Sequence, residues 1–186
     1  MYNEIVYFVT LSASKGSRFF ALLRMTGEIV KQPYIIRINM KALVQRVTSA
    51  SVTINSKVVG KIGPGLVVFI GIAKDDSEND ARYLANKIVN LRVFANESSR
   101  FALSALETKG EILIVSQFTL LADSRKGRRP SFTEAASAEK AKELYEFFVN
   151  QVRSSRLKVE TGIFQEYMTV EIHNDGPVTL LLESKK

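Results

Sequence analysis

Three polar side chains surround one aromatic where an apolar run ends. The stretch is "VSQFTL", residues 115–120, with Ser116, Gln117 and Thr119 around Phe118. Two hydroxyls and an amide can bind a carbonyl or a developing oxyanion. The same residues also suit a strand end that bonds its own backbone, so the pattern alone leaves both roles open. A second stretch, "IHNDGPVTLLLE", places Pro177 directly after Gly176. Asn174, Asp175 and Gly176 are turn chemistry, and the alternating flanks 169–172 and 178–182 predict the two strands of a β-hairpin. Proline there removes a ladder N–H and allows the Gly176–Pro177 bond to be cis. A third, "SRKGRRP", gathers Arg125, Lys126, Arg128 and Arg129 in a loop marked by Gly127 and Pro130. Such a cluster can neutralise phosphates or simply face solvent. Arg46 stands alone in "QRV", and turned inward it would need acceptors such as backbone carbonyls.

Composition narrows the chemistry. Cysteine is absent, which excludes disulfides, thiolate nucleophiles and the usual structural zinc sites. The one histidine, His173, has no carboxylate at helical ligand spacing and is expected to be structural. Catalysis by this chain would therefore work largely without imidazole or thiol, and no metal or cofactor site is expected. The net charge of +7 is compatible with a polyanionic partner. No apolar run approaches the roughly 18 residues of a membrane-spanning helix.

The 186 residues suffice for one domain with a real core. Residues 1–39 hold five Lys or Arg and two Asp or Glu and lack clean alternation. They read as an upstream extension outside the fold, with a short helix over 18–25 capped by Ser17. A more regular segment opens at Met40. Strands are expected at 42–48, 51–54, 57–62, 66–72, 91–94 and 111–116, then near 158–161, 167–174 and 178–183. The runs "LVVFIGI" and "EILIVS" are apolar throughout, as strands covered on both faces are. Two amphipathic helices separate these strands. One follows the Asp75–Asp76–Ser77 cap to about Asn90, with Ala81, Leu84, Ala85, Ile88 and Val89 inward. The other follows Ser137 to about Arg156, with Ala141, Leu144, Tyr145, Phe148 and Val152 inward. Residues 40–186 thus predict a single α+β domain.

"MKALVQRVTSASVTI", "VSQFTL", "GRRPSF" and "NDGPVT" occur in an order and spacing that resemble the D-aminoacyl-tRNA deacylases. The resemblance covers residues 40–186. It implies a curved, mainly antiparallel sheet, barrel-like in a homodimer, with two main helices packed outside. It implies active sites at the dimer interface. Ser116, Gln117, Phe118 and Thr119 would be catalytic there, beside a Gly176–cis-Pro177 dipeptide reaching in from the partner. Arg46, Asn174 and Thr179 would support that pocket, and Arg125, Lys126, Arg128 and Arg129 would meet tRNA. The implied reaction is hydrolysis of the ester between a D-amino acid and the 3′ end of tRNA, in the cytoplasm, without cofactor, metal or membrane.

L-residues would be rejected by crowding of their side-chain direction. Glycine offers nothing to crowd, so glycyl-tRNA is expected to be a partial substrate. The ester is already activated, and the terminal 2′-OH could help activate water. Thr119 as nucleophile is the less favoured alternative, because neither motif supplies it with a base. Two competing readings are an editing module that serves a synthetase and a tRNA-binding protein without turnover.

Overall fold

The computed structural model describes residues 8–11, 19–23, 29–30, 38–125 and 127–184. The chain divides into two compact units, Met1–Arg37 and Ile38–Lys186. In the first, strands β1 (Phe8–Leu11), β2 (Phe19–Leu23) and β3 (Ile29–Val30) form an antiparallel sheet in that order. The expected helix over 18–25 is therefore corrected across Phe19–Leu23. Leu22 pairs with Phe8 on one side and Val30 on the other. Pairing on two edges outweighs a helix too short to hold itself. The remaining residues of that expected helix, and Ser17, lie outside the described residues.

The second unit is built on one long strand. β4 (Lys41–Ile54) pairs antiparallel with β6 (Gly65–Gly71) along its first half and with β5 (Lys57–Ile62) along its second. Its other edge pairs antiparallel with β9 (Thr169–Glu183) over nearly its whole length. β7 (Glu111–Ser116) and β8 (Val159–Thr161) continue the sheet in parallel beyond β6. The α+β class stands, with antiparallel pairing around β4 and parallel pairing at the far edge. The sheet curls towards closure: a side-chain carbon on Gly60 of β5 would lie 2.9 Å from the Thr161 carbonyl oxygen of β8. Only a residue without Cβ allows that approach.

Alternation along the strands fills two cores. Leu66, Val68 and Ile70 of β6, with Ile112 and Ile114 of β7, pack beneath helices α1 (Glu78–Val89) and α3 (Ala138–Arg153). Val67, Leu113 and Val115 point the other way, into the curl, beside Val47, Val52 and Ile62. Burial on both faces explains the uninterrupted apolar runs. The inward helix faces are those the periodicity predicts, and α3 adds Val149. A single-turn helix, α2 (Ala105–Thr108), opens with a Ser104–Glu107 capping box.

Three local expectations are corrected. Strands at 42–48 and 51–54 are one strand, because β4 crosses the junction with shifts in its pairing to β9 instead of a turn. Residues 91–94 form no ladder and hold one bridge, Phe94 to Leu103. The hairpin at "NDGPVT" does not exist. Both of its flanks pair with β4, Asn174 opposite Val47 and Thr179 opposite Gln45. The turn chemistry instead builds a bulge, in which residues 175–178 stand against the single residue Arg46.

Candidate active site

The "SQFT" motif sits where β7 leaves the sheet. The Gln117 N–H donates to the Ile70 carbonyl at 2.7 Å, which holds the chain against β6 for one residue more. The chain then closes a 3-10 turn over Phe118–Leu121, pinned from below by buried Leu121. Ser116 and Phe118 line a cavity of about 420 Å³. Its other walls include Ala135, Ala136, Phe164 and Met168. Phe118 is 56% exposed, unusual for phenylalanine, and meets Phe132 edge to face at 5.0 Å. An exposed aromatic pair beside a concave site is a ready surface for a flat ring.

Thr119 does not line that cavity. Its hydroxyl accepts a short hydrogen bond from the Gln117 side-chain amide. An amide is no base at neutral pH, so this bond gives the Thr119 hydroxyl nothing to take its proton. The turn therefore holds Thr119 without deprotonating it.

The second motif lies elsewhere in the chain. Gly176 and Pro177 are exposed, their peptide bond is cis, and neither lines the cavity. The bulge that carries them is braced from within. Asn174 Oδ1 accepts from the Val178 N–H at 3.2 Å, and Asn174 Nδ2 donates to Thr179 Oγ1 at 3.0 Å. Gln45 Nε2 reaches the same Thr179 oxygen from β4 at 3.2 Å. Arg46 fills the space beneath. Its guanidinium donates to the Val93 carbonyl and lies 2.9 Å from Asp175 Oδ2, a charge contact outside hydrogen-bond alignment. A side-chain carbon on Gly176, where φ is +114°, would come within 2.7 Å of an Arg46 nitrogen. The cavity that Ser116 and Phe118 line is thus built without Gly176 or Pro177.

The remaining expected residues separate. His173 is exposed on β9 and meets Glu171 at 2.9 Å, away from the cavity. In the basic loop, Arg125 is bound by Asp123 through Nε at 2.8 Å and a terminal nitrogen at 2.7 Å. Paired backbone bonds between Asp123 and Ser131 close the loop base and leave Arg128 and Arg129 exposed on it. Lys126 lies outside the described residues. Phe132, Phe164 and Met168 had no place in the sequence reading of the site. The signal was there in "GIFQEYM", where four large apolar side chains crowd a short connection between strands. Among the described residues no three His, Asp or Glu side chains gather as metal ligands, and no helix is long and apolar enough to cross a membrane.

Comparison with known proteins bears on the same region. Residues 43–183 match the family model described as D-Tyr-tRNA(Tyr) deacylase. A D-aminoacyl-tRNA deacylase of Thermosipho melanesiensis is 58% identical over 148 residues, which cover 79% of this chain and 99% of that protein. One of Caldicellulosiruptor saccharolyticus is 55% identical over 147 residues, with the same coverage. Among solved structures, that of a "c-Myc DNA Unwinding Element Binding Protein" aligns with TM-score 0.74 at 43% identity, over 78% of this chain and 99% of that one. Another, of a probable eukaryotic D-amino acid tRNA deacylase, aligns with TM-score 0.71 over 78% of this chain and 100% of that one. At 19% identity this second likeness speaks for the fold.

Proposed function

Since this chain belongs to the D-Tyr-tRNA(Tyr) deacylase family, we propose that it hydrolyses the ester of D-aminoacyl-tRNA, freeing tRNA and the D-amino acid. The carrying observation is the cavity at the end of β7, where the motif residues Ser116 and Phe118 face space enough for a nucleoside ester. The terminal adenosine occupies that cavity, with its ring against the aromatic walls and the ester carbonyl towards Ser116. Water attacks the carbonyl, and the Ser116 hydroxyl donates to the oxyanion that forms. The vicinal 2′-OH of the terminal ribose assists the water. Thr119, bonded to an amide, positions the turn and does not attack.

Chiral selection is assigned to Gly176 and Pro177 of a second copy of the chain. What supports this is the state of β9, a strand of 15 residues that among the described residues pairs with β4 alone and so has its other edge without a partner strand. Leu180 and Leu181 on it are exposed by 38% and 54%. A long open edge with apolar side chains is a pairing surface. A homodimer formed there would carry the exposed dipeptide of each protomer towards the cavity of the other. Rigid backbone then crowds the side chain of an L-residue, and glycyl-tRNA, having none, is hydrolysed in part. The cytoplasm, where aminoacyl-tRNA is used, is the assigned location. The Ile38–Lys186 unit carries the whole activity, and the residues before Met40 are not needed for it.

The test is release of D-tyrosine from D-Tyr-tRNA by purified protein, with L-Tyr-tRNA and L-Ser-tRNA alongside. Preference for D-Tyr-tRNA is expected. Faster release of L-serine would favour an editing module. Tight tRNA binding with no release would favour a nucleic-acid-binding protein, as the 43% identical relative is by name.

A further inference from the structure

A second cavity adjoins the first. It is an open groove of about 500 Å³ between α3 and the connection that follows β8. Phe164 belongs to the walls of both. That shared wall is fixed. The Tyr145 ring stands 5.9 Å from the Phe164 ring, and the Tyr145 hydroxyl donates to the Ile114 carbonyl at 2.9 Å. The Gly162 N–H reaches the same Ile114 carbonyl at 3.1 Å.

One stripe of α3 borders the groove with Lys142, Glu146, Asn150 and Arg153, spaced as helical neighbours are. All four are exposed, so none is held by the core. Opposite them stands Ile163, 48% exposed. The groove therefore offers two cations, one carboxylate, one amide and an apolar side. None of these residues belongs to the motifs of the first cavity.

We infer that this groove binds the nucleotide immediately 5′ of the terminal adenosine, a cytidine in mature tRNA. The inference rests on the deacylase reading and extends it by one nucleotide. With the adenosine in the first cavity, its 5′-phosphate has to leave past a wall, and the neighbouring space beyond Phe164 carries Lys142 and Arg153. These cations neutralise the phosphates on either side of the cytidine. The base lies against Ile163 and Phe164, since stacking on apolar and aromatic side chains is how single strands are held. Glu146 accepts from the cytosine N4 amino group, and the Asn150 amide donates to its ring acceptors. Uracil presents an acceptor where cytosine presents that donor, so Glu146 also selects between them.

Four short esters test this with the intact protein: D-tyrosyl-adenosine, and the same ester on pCpA, pUpA and pGpA. The groove predicts kcat/KM at least about tenfold higher for pCpA than for adenosine alone. It predicts pUpA and pGpA between these two. In Lys142→Glu with Arg153→Glu the ratio of pCpA to adenosine falls to within about twofold of one. In Glu146→Gln the preference of pCpA over pUpA is lost while the ratio of pCpA to adenosine survives in part. Melting curves serve as a folding control, and each ratio is internal to one protein, so a change in active fraction cancels. Equal rates on all four esters, or ratios that the substitutions leave intact, overturn the assignment while the deacylase reading stands. No hydrolysis of any ester, or of D-Tyr-tRNA, overturns both.

Discussion

The Arg46 guanidinium lies 2.9 Å from the Asp175 carboxylate, and this contact ties β4 to the one segment of β9 that leaves it. Arg46 is the residue of β4 against which four residues bulge, and its side chain props that bulge from below while bonding the Val93 carbonyl. Gly176 rides on the prop at φ +114°, where a side-chain carbon would stand 2.7 Å from an Arg46 nitrogen.

Arg46→Ala is expected to loosen the bulge and strand the Val93 carbonyl. The stability cost is about 1–3 kcal/mol for the orphaned acceptor. D-aminoacyl-tRNA hydrolysis falls by more than the folded fraction does, roughly tenfold or more, because misplacing a positioning group costs rate steeply. Arg46→Lys does not restore it, since one ammonium cannot serve the carbonyl and the carboxylate in Arg geometry. Steady-state kinetics with denaturant melts checks this. Full activity in either variant means the bulge holds itself.

Thr119→Ala is expected to cost roughly tenfold or less, whereas loss of an obligatory nucleophile costs on the order of 10³-fold. A substrate whose terminal adenosine lacks the 2′-OH is expected to slow more than this mutation does. Single-turnover rates on both substrates decide the matter, and the reverse order makes Thr119 the nucleophile.

A chain beginning at Met40 is expected to fold, dimerise and keep full activity. Met40 itself is fully buried, and its backbone nitrogen donates to Asp76 Oδ1 at 3.0 Å. An α-ammonium in that place meets the same carboxylate with a stronger, charge-assisted bond. Asn39 gives up one bond, from its side chain to the Ser184 carbonyl. Sedimentation and kcat/KM are the readouts. An insoluble or inactive product shows that the first 39 residues serve the domain.

Glu111 makes one contribution to stability that depends on pH. The Lys158 ammonium at 2.8 Å, and then the Gly63 N–H at 2.8 Å, hold its carboxyl below the ordinary glutamate range. A depressed folded pKa stabilises fully above the unfolded value of about 4.3, and the gain is lost as pH falls through the folded value. Glu111→Gln is therefore expected to lower Tm at neutral pH, and the difference from the parent is expected to shrink as pH falls below the ordinary glutamate range and through the depressed folded value. A constant difference across pH 3–7 contradicts that linkage.

Much of this architecture was legible because local pattern and final burial agree. The two apolar runs became β6 and β7, and the helix faces read from period 3.6 are the buried faces of α1 and α3. The bulge was not legible. Asn-Asp-Gly suits a hairpin turn and a bulge equally, and what separates them is the partner of each flank, here β4, more than a hundred residues earlier. The join at Ser49 and Ala50 failed for the same reason. The site divided likewise. Ser116 and Phe118 announce themselves through polar atoms at the end of an apolar strand, whereas Phe164 and Met168 become walls only when the segment after β8 folds across the sheet.

Gly176 carries the chiral claim, and one comparison tests it most directly. The quantity is the ratio of kcat/KM for D-Tyr-tRNA to that for L-Tyr-tRNA, measured in the parent protein and in Gly176→Ala. The parent is expected to favour D by on the order of 10²-fold or more, as steric rejection of a whole side chain allows. Adding the methyl group forces the segment off Arg46, so D-hydrolysis drops, rejection of L weakens and the ratio falls, with Tm changing less than rate. A parent ratio near one, or an undiminished ratio and rate in Gly176→Ala, contradicts selection by this backbone.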